Sequence, residues 1–415
     1  MFRFIHAADI HLDSPMKGLS QYEGAPVEEI RAASRKALEN LVRLAVHEDA
    51  GFVVLSGDVF DGDWRDYSTG LFFVTQMARL GQAGIRVFLA AGNHDAASSI
   101  SRSLRLPANV HVFSTRACES VQVEGLDTVI HGRGFSGRAE EGDWVAGYPE
   151  PVPGAFNIGV LHTSLAGYSA HDPYAPCSLD SLVGKGYDYW ALGHVHRHEV
   201  LCTRPHVVYP GNIQGRHIRE TGPKGCMLVS VSNREVVDAR FSELDVLRWY
   251  RLELDARGSS EDGFMAAFRD RLQDILDNAD SRFAAVRLTV KTKSGSDSPF
   301  MRDPEKWRNE LRAAAIDAGR SGVWIERIVF VPEATRGSGV LPADLLEGGG
   351  TTDLDDGALL QIGGEALRKL FEKLPPEITT GPEALRPDDP AWLREVFREG
   401  MERLVARMRR VEGKR

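Results

Sequence analysis

Three short runs of β-branched and aromatic residues, FRFIHAA (2–8), FVVLS (52–56) and IRVFLAA (85–91), are separated by helical patterns near 26–49 and 67–82. Runs of that length suit buried strands, and the stretches between them are long enough for crossover helices, so the spacing calls for βαβαβ and a parallel sheet. The first helical stretch places Val27, Ile30, Ala37, Leu38, Leu41, Leu44 and Ala45 at three- and four-residue spacing, an apolar stripe that buries against a sheet. Further strands are legible at NVHVF, TVIHG, FNIGVL, YWALG, HVVYPG and CMLVSV, with few helices after residue 110. The expectation is an α/β fold in which two mixed β-sheets form a sandwich with flanking helices.

The pattern changes near residue 246. WYRLELDA, a helix over about 261–278, AAVRLTVKT, a helix over about 303–319 and WIERIVFVP describe a small α/β module of three strands and two helices. Residues 332–356 turn to Gly, Ser, Pro and Asp, including Gly348, Gly349 and Gly350, which is linker composition. Two C-terminal helices are expected over about 357–373 and 390–411. The organisation is thus 1–245, a module over 246–331, a linker over 332–356 and a helical region over 357–415. The last helix carries Leu393, Phe397, Met401, Leu404, Met408 and Val411 on one stripe among six arginines, a pattern for docking in a partner's groove or for folding back on its own domain.

Of the 415 residues, 59 are acidic and 50 are Lys or Arg, a balance against nonspecific coating of nucleic acid that leaves a local basic groove open. Cys118, Cys177, Cys202 and Cys226 form no C-x-x-C pair, the usage of a reducing compartment. MFRFIHAADIH lacks the features of a signal peptide, and no run approaches the ~20 apolar residues of a membrane span. The expected location is cytoplasmic.

Five strands end on side chains that bind metals: Asp9 and His11 in AADIH, Asp58 in LSGDVFD, Asn93 and His94 in GNHD, His162 in GVLH, and His194 and His196 in LGHVH. In open α/β sheets that edge is where sites assemble. Residues two apart on an extended backbone point the same way, so the spacing predicts that Asp9 with His11, and His194 with His196, each present two ligands to one volume. Asp58 follows Gly57, where a turn lets the carboxylate reach two ions held ~3.5–4 Å apart and offset their repulsion. Singly, these residues read as structural histidines and an ordinary Gly92-Asn93 turn. Apart from His94 they supply two carboxylates, four imidazoles and one amide, a donor set for borderline divalent ions such as manganese, iron or zinc, and a site that hydrolyses phosphoesters.

The motifs D-x-H, GD-x-x-D, GNH-[DE], H and GH-x-H resemble the calcineurin-like metallophosphoesterase superfamily, with Asp9, His11, Gly57, Asp58, Asp61, Gly92, Asn93, His94, Asp95, His162, Gly193, His194 and His196 at its positions. AADIHLDSP, GDVFD, AAGNHD, YWALGHVH and VVYPGNIQGRHIRETGPKGC resemble more narrowly the SbcD-type DNA repair exonucleases, in their YhaO-like branch. The resemblance implies a nuclease domain over 1–245, a capping domain that positions DNA over 246–331, and two divalent ions, manganese first among them. It assigns one ion to Asp9, His11, Asp58 and His196 and the other to Asp58, Asn93, His162 and His194. His94 would face the scissile phosphate and serve the leaving 3′ oxygen. Asp95 would either orient His94 or cap the helix that follows.

Asp61 fills a position where some relatives carry histidine, and no arginine follows GDVFD as it does in phosphoprotein phosphatases; the second departure favours a phosphodiester substrate. The function implied is a metal-dependent DNA exonuclease, 3′ to 5′, serving repair or end processing as the nuclease subunit of an SbcCD-like complex. Its C-terminal helices would dock on an SbcC-like coiled-coil ABC-type ATPase, and its nuclease domain would form a homodimer. A hydrolase of a small phosphodiester such as a cyclic nucleotide, or an inert scaffold of the same fold, are the alternatives. Arg216, His217, Arg219 and Lys224 are candidate contacts to the DNA backbone, against the alternative that Arg219 and Glu220 pair structurally. His171 and Tyr174 are candidates for the entrance.

Overall fold

The strand-and-helix alternation of the first hundred residues builds one half of a sandwich. In the computed structural model the described residues are 1–14, 26–61, 67–97, 104–137, 144–165, 177–293, 298–319 and 322–333, with Asp389 and Leu393. His171, Tyr174, nearly all of the expected linker and, but for Leu393, both expected C-terminal helices lie outside them. Met1–Glu333 forms one compact unit and Ala334–Arg415 another.

The elements run β1 (Phe2–Ala7), α1 (Val27–His47), β2 (Phe52–Ser56), α2 (Tyr67–Gln82), β3 (Arg86–Ala90), α3 (Asn93–Ala97), β4 (Val110–Val112), β5 (Glu119–Gln122), β6 (Thr128–Gly132), β7 (Phe156–His162), α4 (Leu179–Gly184), β8 (Tyr189–Gly193), β9 (Glu199–Thr203), β10 (His206–Tyr209), β11 (Gly225–Ser232) and β12 (Glu235–Glu243). The module after them is β13 (Leu247–Asp255), α5 (Glu261–Asn278), β14 (Phe283–Thr292), α6 (Pro299–Arg302), α7 (Pro304–Gly319) and β15 (Val323–Pro332). The first sheet has the order β12-β11-β1-β2-β3-β4 and the second β5-β6-β7-β8-β10-β9. In the first, β1 to β4 are parallel and β11 and β12 antiparallel. In the second, β6, β7, β8 and β10 are parallel between antiparallel edges.

Strands buried on both faces need an apolar partner on each side. The inner faces meet in a core of Phe4, Phe52, Val54 and Phe88 against Phe156, Ile158, Val160 and Tyr189. The outer face of the first sheet packs on the stripes of α1 and α2 through Leu38, Leu41, Phe73 and Met77. The third sheet, β13-β14-β15, is parallel, with α5 and α7 closing one face around Phe264, Phe268, Trp307 and Leu311. Its other face meets α1 and the segment after β10 through Leu247, Trp249, Trp324, Ile30, Ala33 and Ile218. No helix among the described residues is long and apolar enough to cross a membrane.

Candidate metal centre

Parallel strands deliver their C-terminal ends to one edge. Asp9 and His11 follow β1, Asp58 and Asp61 follow β2, Asn93 and His94 open α3 after β3, His162 ends β7, and His194 and His196 follow β8. The spacing predicts extended backbone for the two paired motifs, and the structure corrects this. Asp9, His11, Asp58 and His194 have φ of 51°, 44°, 54° and 100°, a left-handed conformation that costs a non-glycine residue about 1–3 kcal/mol and persists only where its surroundings enforce it. The enforcement is visible: the backbone N–H groups of Asp9 and His11 donate to the carbonyls of Gly57 and Asp58 at 3.0 Å each. The turns tuck the ligands inward instead of running them along a strand.

Two glycines permit this closeness. A β-carbon on Gly92 would overlap the Asp58 carboxylate and backbone nitrogen, and one on Gly193 would overlap the Ser56 carbonyl.

The expected ligand atoms gather in two groups, Asp58 with His162 and His194, and Asp9 with His11 and His196, and His11 is shared with a third cluster that adds Asp61 and His94. In the first, His162 Nδ1 donates to the Ser56 carbonyl at 2.9 Å, which turns Nε2 toward Asn93 Oδ1 at 3.0 Å and Asp58 Oδ2 at 3.3 Å. In the second, His11 Nδ1 donates to Asp61 at 2.6 Å and His196 Nδ1 to Glu220 at 2.7 Å. Both rings therefore aim Nε2 inward, 3.2 Å apart. Burial, then Arg216, lowers the His11 pKa, so this ring offers an Nε2 lone pair to the group. Two imidazole nitrogens beside the Asp9 carboxylate are a donor set that fits a cation. Asp58 Oδ2 is also 3.9 Å from His11 Nε2, so this carboxylate faces both groups.

Proton energetics agree. Burial opposes charge on His162, yet the Asp58 carboxylate outweighs it and raises that ring to about 9. Burial would raise Asp58, but the charge of His162 and its hydrogen bond hold the carboxyl well below the usual range. The buried site thus attracts positive charge, which a cation supplies in exchange for the proton.

His94 lies beside both groups. Its side chain is 44% exposed, its Nδ1 is 3.5 Å from Asp61 Oδ1, and its backbone N–H donates to Asp58 Oδ1 at 3.0 Å. Asp95 is buried and accepts backbone N–H groups of Val59 (3.2 Å), Phe60 (2.9 Å) and Gly92 (3.0 Å). Burial, then the Asp58 charge, pushes its carboxyl up to about 7. Asp95 thus staples the loop after β2 to the turn before α3, and the carboxylate described beside His94 is that of Asp61.

The four candidate DNA contacts separate. Arg216, 19% exposed, reaches Asp61 at 3.6 Å, Glu220 at 3.4 Å and His196 at 3.3 Å, at the rim of the centre. His217 and Arg219 are exposed. Lys224 is a correction: it is buried, with Nζ donating to the His196 carbonyl at 2.7 Å, so its role is to hold that turn. Glu220 bonds His196, Arg216 and Asn212. Sequence reasoning treated Asp61 only as a motif position and Glu220 only as a possible partner of Arg219; their service to His11 and His196 depends on contacts 50 and 24 residues apart.

The two-sheet sandwich has the form of the metallophosphoesterase fold, and its ligand groups are candidate metal sites. Residues 2–198, a little under half of the chain, match the model for calcineurin-like phosphoesterases. Residues 249–331 match the model for the middle domain of metallophosphoesterase YhaO. Over 256 residues the chain is 39% identical to the uncharacterized metallophosphoesterase YhaO of Bacillus subtilis (strain 168), covering 61% of this chain and 62% of that one, under two thirds of the relative's length. Over 419 residues it is 24% identical to the DNA double-strand break repair protein Mre11 of Methanopyrus kandleri, covering 91% of this chain and 84% of that one. A crystal structure of a dimetal phosphatase from Danio rerio aligns with a TM-score of 0.35 at 13% identity, over 55% of this chain and 92% of that one.

Proposed function

We propose that this protein is a metal-dependent DNA exonuclease that hydrolyses phosphodiester bonds from 3′ ends in repair or end processing. The observation that carries the hydrolytic reading is Asp58 facing both ligand groups with His94 exposed beside them. Similarity to a double-strand break repair protein over most of both chains supports DNA as the substrate. Manganese is the proposed ion, since mixed carboxylate, amide and imidazole donors suit borderline divalent cations. Bound there, two such ions would polarise a phosphate oxygen and lower the pKa of water.

The chain's own residues do the rest. Asp61 and Glu220 fix the tautomers of His11 and His196. Asn93 Oδ1 and Asp58 add oxygen donors beside His162. His94 is open enough to meet a substrate and pass a proton to the departing 3′ oxygen. The test is purified protein with manganese and end-labelled single- and double-stranded DNA, beside His94→Ala. Wild type should shorten DNA from the 3′ end and the variant should be slower by about 10²- to 10⁴-fold while still binding manganese. Equal degradation by both overturns the role of His94, and hydrolysis of a cyclic nucleotide without DNA overturns the substrate.

The region from residue 357 is proposed to dock on a coiled-coil ABC-type ATPase; the three- and four-residue spacing of its apolar residues from Leu393 to Val411 in the sequence supports this reading. Removing 357–415 should abolish that binding and spare manganese-dependent hydrolysis of a small phosphodiester. Loss of both would make the segment part of the fold.

A further inference from the structure

The segment between β10 and β11 is fastened on two sides. Toward the metal centre, Glu220 is 7% exposed and its carboxylate meets four donors: His196 Nδ1 at 2.7 Å, the Arg216 backbone N–H at 2.7 Å, Asn212 Nδ2 at 3.0 Å and Arg216 Nη2 at 3.4 Å. Toward the third sheet, Gln214 Nε2 donates to the Leu247 carbonyl at 2.6 Å, and its Oε1 accepts the Val246 N–H at 3.0 Å. The Trp249 indole donates to the Gly215 carbonyl at 3.0 Å, and Arg251 Nε to the Ile218 carbonyl at 3.4 Å. A β-carbon on Gly215 would meet both the Glu220 carbonyl and the Trp249 ring, so nothing larger fits between the two fastenings.

We infer that Glu220 is a positioning residue for the ligand group of Asp9, His11 and His196, and that through Gln214 and Trp249 the third sheet sets where it stands. The inference rests on the reading of the site as a cation centre and is independent of whether DNA is the substrate. The physical step is short. His196 donates Nδ1–H to Glu220, which fixes its tautomer and directs the Nε2 lone pair at the group, 3.7 Å from Asp9 Oδ1 and 3.2 Å from His11 Nε2. Without that acceptor the ring is free to turn or to carry its proton on Nε2, where it cannot bind a cation. Carboxylates placed behind ligating histidines are worth about 10- to 100-fold in metal affinity. The loop holding Glu220 packs through Ile218 against Trp249 and Trp324, so a shift of the third sheet moves the acceptor.

The experiment is manganese binding by the full chain, read from the loss of the free-ion paramagnetic resonance signal and fitted to two sites. Glu220→Ala should weaken one site by about 10- to 100-fold and leave the other within a few-fold of wild type. Glu220→Gln, whose Oε1 still accepts from His196, should restore the weakened site; Trp249→Phe, which removes the indole N–H together with part of the ring and keeps an aromatic side chain, should weaken the same site more mildly. Unchanged binding by Glu220→Ala, equal weakening of both sites, or no difference between Ala and Gln would overturn the proposal. Where the Ala variant does not fold, Glu220→Asp repeats the test with a shortened reach. Because the readout is ion binding, a failure of the nuclease reading leaves this result standing.

Discussion

In the group of Asp58, His162 and His194 the ligands are set by the backbone, whereas in the group of Asp9, His11 and His196 they are set by carboxylates from other loops. His162 is aimed by the Ser56 carbonyl, and Gly92 and Gly193 let the loops close to van der Waals distance around it. All three members of that deep group are buried. His11 and His196 are aimed instead by Asp61 and Glu220, and the His196 side chain is 23% exposed. A carbonyl in a sheet has no rotamer to lose, while a carboxylate on a loop depends on everything that holds the loop. The deep group should therefore resist polar substitutions around it and yield only to steric ones, and the shallow group should do the reverse.

The harshest way to break that contrast is Gly193→Ala. The added β-carbon overlaps the Ser56 carbonyl oxygen and crowds His162 Nδ1, so the backbone between β2, β7 and β8 must part. Overpacking of this kind costs about 1–3 kcal/mol, or roughly 1–4 °C in a thermal melt of a chain this size. Manganese titration should show the deep site lost and the shallow one kept, the converse of Glu220→Ala. A variant that binds two ions as wild type does would show that backbone closeness is not what builds the deep group.

The same division between sheet interior and loop governs what the sequence disclosed. The central strands read as unbroken apolar runs because both their faces are covered, as in FVVLS and YWALG, where every residue is buried. The strands that went unread are Glu119–Gln122, Glu199–Thr203 and Glu235–Glu243. Each is an edge of its sheet, with a half-exposed, charge-bearing pattern that protects an open edge and erases the strand signal. The ligands were legible because each sits at the punctuation between strand and turn. Their left-handed backbone was not, since no local rule puts Asp or His at positive φ without the enclosing loops. Lys224 failed for the same reason: a lysine in a Gly-Pro loop reads as solvated, and only the closed fold puts its ammonium on the His196 carbonyl.

The gentlest probe is acid, and it acts beneath the deep group. His6 on β1 is fully buried; Nε2–H donates to the Leu192 carbonyl at 3.1 Å, and Nδ1 accepts the Tyr189 hydroxyl at 3.0 Å, joining the first sheet to the strand that leads into His194. Burial, against the Leu192 carbonyl, lowers its pKa from 6.5 to about 3. Between those values the unfolded chain takes up a proton that the folded chain refuses, so His6 takes stability away as the pH falls. The loss approaches about 1.4 kcal/mol per pH unit below 6.5. Denaturant melts from pH 7 to 5.5 should show a shallower decline for His6→Gln than for wild type, because glutamine has no proton to gain. Parallel curves would mean that the link between the sheets adjusts to a charged ring, and that the deep group is less rigidly founded than its backbone contacts imply.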